Sequence, residues 1–109
     1  MPTDRILSLD AAATDETIGV EIPVDSFDRV GWDAVWSSGC SAGVVTVEWA
    51  PISGYTGDWK SIETLNFLDD GCDGGSIESL GGFYRPRIST AVANGTVTFY
   101  MKRGNIGHY

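Results

Sequence analysis

The side chains able to do chemistry are few in this sequence, and they are scattered. Asp69, Asp70 and Asp73 stand close together among glycines, and hard cations such as calcium take several oxygens from a flexible loop. The stretch lacks the alternating Asp-x-Asp-x-Asp-Gly spacing and the closing bidentate glutamate. It therefore reads as a solvated acidic loop, and no metal ligand set is expected. His108 is the single histidine and lies one residue from the last. Nothing anchors it beside a nucleophile, so neither a Ser-His-Asp nor a Cys-His arrangement is expected. Fifteen acidic residues always offer pairs of carboxylates, but a domain this small struggles to supply a sugar-hydrolysing cleft. No Gly-Lys-Ser/Thr phosphate cradle occurs. The expectation is a protein with no catalytic residues and no cofactor.

Three further sets remain. Cys40 and Cys72 both sit in Gly/Ser/Asp-rich stretches. Two thiols cannot make a four-ligand zinc site. If their loops meet, a disulfide would close a loop of about 33 residues, worth roughly 3–4 kcal/mol in the chain-entropy model. Cytoplasmic synthesis argues instead for two free thiols, and both readings stay open. Tyr55 and Trp59 flank Asp58, and aromatic rings with polar neighbours can stack on sugar rings. The plainer reading buries Trp59 and lets Tyr55 cap it. Finally, Arg85, Arg87 and Lys102 are a basic concentration in an acidic chain. They either pair with outward acids such as Glu48 or Asp33, or they form a subunit or partner contact.

The elements that must position these groups read as strands. Asn94-Gly95 lies between two alternating apolar runs, a strong signal for a two-residue hairpin. That turn would set Val92 opposite Val97, Thr90 opposite Phe99 and Ile88 opposite Met101, with Arg87 opposite Lys102 on the polar face. Thr17 to Val24 alternates with Ile18, Val20, Ile22 and Val24 on one face, and Pro23 marks an edge strand. Asp28 to Ser37 directs Val30, Trp32, Ala34 and Trp36 inward. Val44 to Ala50 directs Val45, Val47 and Trp49 inward. Trp59 to Leu68 reads as a strand with a bulge, residues 68–75 as a loop, and Ser76 to Leu80 as a short strand or ordered loop. No helix stands out. Seven or eight short strands with regular turns predict an all-β fold: a single antiparallel β-sandwich, jelly-roll-like, with an extended N-terminal segment. Residues 1–15 read as an N-terminal arm or linker and 16–109 as the sandwich domain.

Composition narrows the partners. The chain has 109 residues and a net charge of −8, enough for one domain with one core. Phosphate contacts need clustered Lys and Arg, so nucleic acid is excluded as a partner, and an anionic membrane is disfavoured on the same ground. There is no apolar run long enough for a membrane span. The first residues do not read as a secretory signal, which points to cytoplasmic synthesis.

The order of motifs then becomes informative. A short N-terminal strand and an alanine/threonine linker precede Phe27-Asp28-Arg29-Val30. Gly43-Val44-Val45-Thr46-Val47-Glu48-Trp49 follows, then Asp58-Trp59-Lys60-Ser61-Ile62. The series closes with Gly82-Phe83-Tyr84-Arg85-Pro86-Arg87-Ile88 running into Asn94-Gly95-Thr96-Val97-Thr98-Phe99-Tyr100. This order resembles the small β-sandwich virion proteins of tailed bacteriophages, namely capsid decoration (cement) proteins and related head or tail-fibre modules. The resemblance implies a structural virion protein that is not an enzyme. It would sit on the outer surface of the head, as a dimer or trimer with the trimer favoured, and clamp the major capsid protein. The expected contacts are Arg5, Ile6, Leu7 and Leu9 of the N-terminal segment together with Arg85, Arg87 and Lys102. Deleting residues 1–10 would then weaken capsid binding and leave the fold intact. The alternative is a tail or fibre module that recognises host surface glycans through Tyr55 and Trp59.

Overall fold

A computed structural model of the chain describes residues 4–104. Eight strands follow one another: β1 (Asp4–Ala12), β2 (Ile22–Val24), β3 (Arg29–Trp36), β4 (Ala42–Ala50), β5 (Lys60–Asn66), β6 (Cys72–Glu78), β7 (Gly82–Ala93) and β8 (Val97–Gly104). They form two four-stranded antiparallel sheets, in the orders β1-β8-β3-β6 and β2-β7-β4-β5. All but one of the connections cross from sheet to sheet, and only β4 and β5 are both consecutive and paired. This is the strand order of a jelly roll, the antiparallel sandwich that the alternating patterns predict.

The core lies between the sheets and comes from the inward half of each strand. Trp32 and Trp36 of β3, Tyr84 and Ile88 of β7, and Val97, Phe99 and Met101 of β8 are fully buried. Val45, Val47 and Leu65 close the layer from the second sheet. Each large apolar side chain so buried stabilises the fold by about 1.5–3 kcal/mol. Trp49, expected inward, is half-buried and donates its indole N–H to Gly81 O at 3.0 Å.

The hairpin expected at Asn94-Gly95 does not form. β7 pairs with β2 and β4, whereas β8 pairs with β1 and β3. The turn chemistry is real, because Asn94 has φ +61°. It serves a corner that carries the chain from one sheet to the other. Ile88, Val92, Val97, Phe99 and Met101 all face the core from opposite sides. Arg87 therefore never stands opposite Lys102.

The N-terminal segment is also not a detachable arm. β1 runs antiparallel along β8 with Ile6 opposite Met101 and Leu9 opposite Phe99, and Leu9 is buried in the core. The boundary expected at residue 15 thus falls inside the sandwich. The strand expected over Thr17–Val24 shrinks to its last three residues. Before it, residues 13–20 run as a strap across the β1/β7 side. Gly19 N–H donates to Pro86 O at 2.9 Å and Val20 N–H to Ser8 O at 3.3 Å. Gly19 fits because a Cβ there would come within 2.6 Å of Pro86 Cγ. Ile18 and Val20, expected inward, are exposed as a result. β6 begins earlier than expected, at Cys72, so Asp73 lies on a strand.

Candidate functional site

The basic residues grouped by the sequence are divided between the two outer faces. On the outer face of the β2-β7-β4-β5 sheet, Glu48 stands opposite Arg85 in the ladder, one row from Thr46 and Arg87. Alternation puts all four side chains on one side. Arg85 Nε donates to Glu48 Oε1 at 3.0 Å and Arg87 Nε donates to Glu48 Oε2 at 2.9 Å. Arg87 Nη1 also donates to Glu16 Oε1 at 2.8 Å, which ties the strap to β7. Glu48 is only 4% exposed. Its hydrogen bond holds the Arg87 guanidinium above its ordinary pKa, and the charges of Glu48 and Glu16 add to this, against the cost of burial. Removing one partner from such a buried set costs about 3–5 kcal/mol, mostly through the charge left unpaired.

Trp59 closes this cluster. Its indole N–H donates to Tyr55 O at 2.9 Å, and the Arg85 guanidinium lies 3.9 Å from its ring centroid. Trp59 is 9% exposed. One ring face is thus taken by Arg85, a contact worth about 0.5–1 kcal/mol or more when desolvated. Tyr55 is half-buried and its ring lies over Gly57, where a Cβ would come within 2.6 Å of the phenol oxygen. The two aromatics named for sugar stacking are joined through the Tyr55 carbonyl, but Trp59 is packed on Arg85 and the Tyr55 ring lies against Gly57.

On the outer face of the other sheet, Lys102 Nζ donates to Asp33 Oδ2 at 3.0 Å and Arg5 lies 4.0 Å from the same oxygen. Arg5 also stacks on Tyr100, 3.8 Å from the ring centroid. Leu7 stands opposite Tyr100 and is exposed on this face, while Ile6 and Leu9 turn inward. The seven residues expected to contact a partner therefore never form one surface. Arg5, Leu7 and Lys102 share one face, Arg85 and Arg87 the opposite face, and Ile6 and Leu9 contribute to the core.

Cys40 is buried and Cys72 exposed, and both are free thiols. Cys40 Sγ sits 3.7 Å from Ser37 Oγ and 3.8 Å from Thr96 O; Cys72 stands opposite Val35 on the edge strand β6. In the acidic stretch, Asp69 Oδ1 accepts the Gly39 N–H at 2.6 Å, so one carboxylate closes a loop. His108 lies outside the described residues.

One feature was beyond reach of the sequence. Among the described residues, the sheets end side by side on β5 and β6, each paired on one side only. Glu63 of β5 accepts the indole N–H of Trp32 at 3.0 Å across this opening, and a Cβ on Gly75 of β6 would lie 3.0 Å from the same carboxylate. Lys60 and Glu63 of β5 and the Gly74-Gly75 pair of β6 suit edge strands, and both strands are largely exposed, but no local signal says that these two edges lie beside each other.

No protein-family model matches the chain, and no curated protein matches it. Among solved structures it is similar to a protein of Bacillus endospore appendages, described as forming a novel family of disulfide-linked pili. The TM-score is 0.48 and the identity 16%, over 97% of this chain and 88% of that one. A likeness of that degree carries no argument about this chain's bonds, partners or assembly.

Proposed function

We propose that the protein is a structural, non-enzymatic subunit of a larger assembly. More finely, it is a decoration protein on the outer surface of a tailed-bacteriophage head, bound to the major capsid protein and to further copies of itself. One observation supports the assembly reading: the open flank formed by β5 and β6. Unpaired backbone N–H and C=O groups along an edge accept another chain's strand, and the ladder supplies affinity without a dedicated pocket. Lys60, Glu63 and the register shift between Val47 and Glu48 guard β5, features that deter indiscriminate pairing and leave the edge to a fitted partner. The order of strand motifs described above supports the phage reading. A subunit that binds only the assembled shell raises the shell's stability by mass action.

The test is binding to the native particle. Purified protein mixed with heads lacking it should co-sediment, and density should appear on the outer surface at joints between capsid subunits. Protein that stays in the supernatant at saturating particle concentration would overturn the proposal.

A further inference from the structure

The two flanks of the sandwich differ. On the β1/β2 flank the strap bonds to both sheets, through Glu16 N–H to Ile88 O, Gly19 N–H to Pro86 O and Val20 N–H to Ser8 O. On the β5/β6 flank, among the described residues, each edge strand pairs on one side only. Glu63 reaches from β5 to the indole N–H of Trp32, and a Cβ on Gly75 of β6 would lie 3.0 Å from the same carboxylate. Glu63 and Gly75 are therefore level. Each is also the middle residue of its strand, Lys60–Asn66 and Cys72–Glu78. β5 runs into the loop at residues 67–71 and β6 runs out of it, so the two edges run in opposite directions.

A single strand docking on this flank would pair one edge and leave the other open. Packed sheets lie about 10 Å apart, and an occupant that pairs both edges at once must itself present two edges at that spacing. Among the described residues this chain has one such flank. A second copy therefore meets the requirement by construction.

A two-fold axis can bring two such flanks together in two ways. An axis normal to the sheets sets β5 on β5 and β6 on β6. With the strands overlapping in full, Glu63 then stands directly opposite the second copy's Glu63, a like-charge pair that opposes docking. An axis parallel to the strands sets β5 on the second copy's β6, twice. Level residues then meet: Glu63 opposite Gly75, Thr64 opposite Gly74, Leu65 opposite Asp73 and Asn66 opposite Cys72. The faces agree. Leu65 and Asp73 stand beside the buried Val45 and Ala34, whereas Asn66 and Cys72 stand beside Val44 and Val35 on the outer faces. The extra residue at the β5 register shift carries Lys60 to the second copy's Ile77 and Glu78, where opposite charges meet.

We infer that the open flank joins two copies of this chain in a dimer whose two-fold axis runs along the strands, with β5 of each copy paired to β6 of the other. The dimer rests on the assembly reading of this flank and names its fitted partner. Both edges of the flank are paired in it, so the association closes at two copies.

The experiment uses the full chain carrying Asn66→Cys. Asn66 and Cys72 of one chain lie on opposite outer faces, so a bridge between these positions can form only between copies. Mild oxidation should convert this variant to a covalent dimer with two bridges to Cys72, because directly opposite strand residues fall within disulfide reach. Glu78→Cys reports the other axis, which sets Glu78 opposite Cys72; that variant and the parent should run as single chains on a denaturing gel. In sedimentation the parent should form a dimer, and Lys60→Glu should weaken it at least about threefold. Cross-linking of Glu78→Cys in place of Asn66→Cys would overturn the inference, as would a parent that sediments as a monomer at its highest soluble concentration. A monomer that still binds phage heads would sink the dimer and leave the assembly reading standing. A dimer cross-linked through Asn66→Cys that ignores heads would support the dimer and sink the phage reading alone.

Discussion

The two ends of the sandwich are built from loops of similar chemistry but are finished in opposite ways. At one end, residues 37–41, 67–71 and 94–96 are stitched together. Trp36 N–H donates to Gly71 O at 2.8 Å, Ser37 N–H to Thr96 O at 2.9 Å and Asp70 N–H to Ser37 O at 3.1 Å. Side chains add to this: Thr96 N–H donates to Ser37 Oγ at 2.8 Å, and Asn94 Nδ2 donates to Ser41 Oγ at 2.7 Å. Cys40 is buried among them. At the other end the loops also touch: Ser79 N–H donates to Asp28 O at 2.7 Å, and a Cβ on Gly82 would lie 3.3 Å from Pro51 Cα. Three large apolar side chains, Phe27, Ile52 and Leu80, are nevertheless left in water there. The first end closes the sheets over their core. The second displays side chains, and Phe27 does so from a conformation that costs stability, with φ +70°. The contrast is one of degree, because Leu68 at the stitched end is also 42% exposed.

The comparison can be broken most severely by removing a strand that supports the whole sandwich. Deleting residues 1–12 takes away β1, uncovers β8 and empties the place of Leu9. Cooperative thermal unfolding, followed by circular dichroism, should be lost; a truncated chain that still melts sharply would restore the detachable arm. Next in size is Gly95→Ala at the stitched end. Its Cβ would fall 2.5 Å from both Cys40 Sγ and Ser37 Oγ, and overpacking of this kind costs about 1–3 kcal/mol. Chemical denaturation should show a lower midpoint with an unchanged slope. Ser37→Ala leaves the Thr96 N–H without its partner, a loss of about 1–2 kcal/mol by the same measurement.

The display end should respond in the other direction. Phe27→Gly removes a left-handed strain of about 1–2 kcal/mol and returns about 0.4–1 kcal/mol through the greater entropy of the unfolded chain. The net expectation is a small gain, seen as a higher melting temperature. Smallest of all is Ile52→Ser, which should stay within about 0.5 kcal/mol of the parent, as exposed positions do. A loss at Ile52 as large as that at Gly95 would erase the distinction between the ends.

Much of the architecture was legible because inward and outward residues alternate. Val30, Trp32, Ala34 and Trp36 are buried as their spacing requires, and Pro23 does mark an edge strand. The plainer reading of the basic residues also holds in the structure, with Arg85 and Arg87 on Glu48 and Lys102 on Asp33. The failures share a cause. Alternation says which side of a strand is buried, and it is silent about which strand lies beside it. Asn94-Gly95 supplies the backbone freedom for a reversal, and a hairpin and a sheet-crossing corner need the same freedom. Ile18 and Val20 have the right period for a strand, yet hydrogen bonds to Ser8 and Pro86 draw that segment out as a strap.

The sequence by itself determined the class of fold, the faces of the strands and the acidity of the surface, because these follow from side-chain period and composition. Only the tertiary structure decided that β7 and β8 part into different sheets, that Arg5 and Arg85 lie on opposite faces, and that Phe27, Ile52 and Leu80 stand on loops at one end. Those three residues are separated by more than twenty positions at each step. Their placement at one end depends on long-range strand pairing, which is selected by the packing of the whole core and is written in no local stretch of the chain.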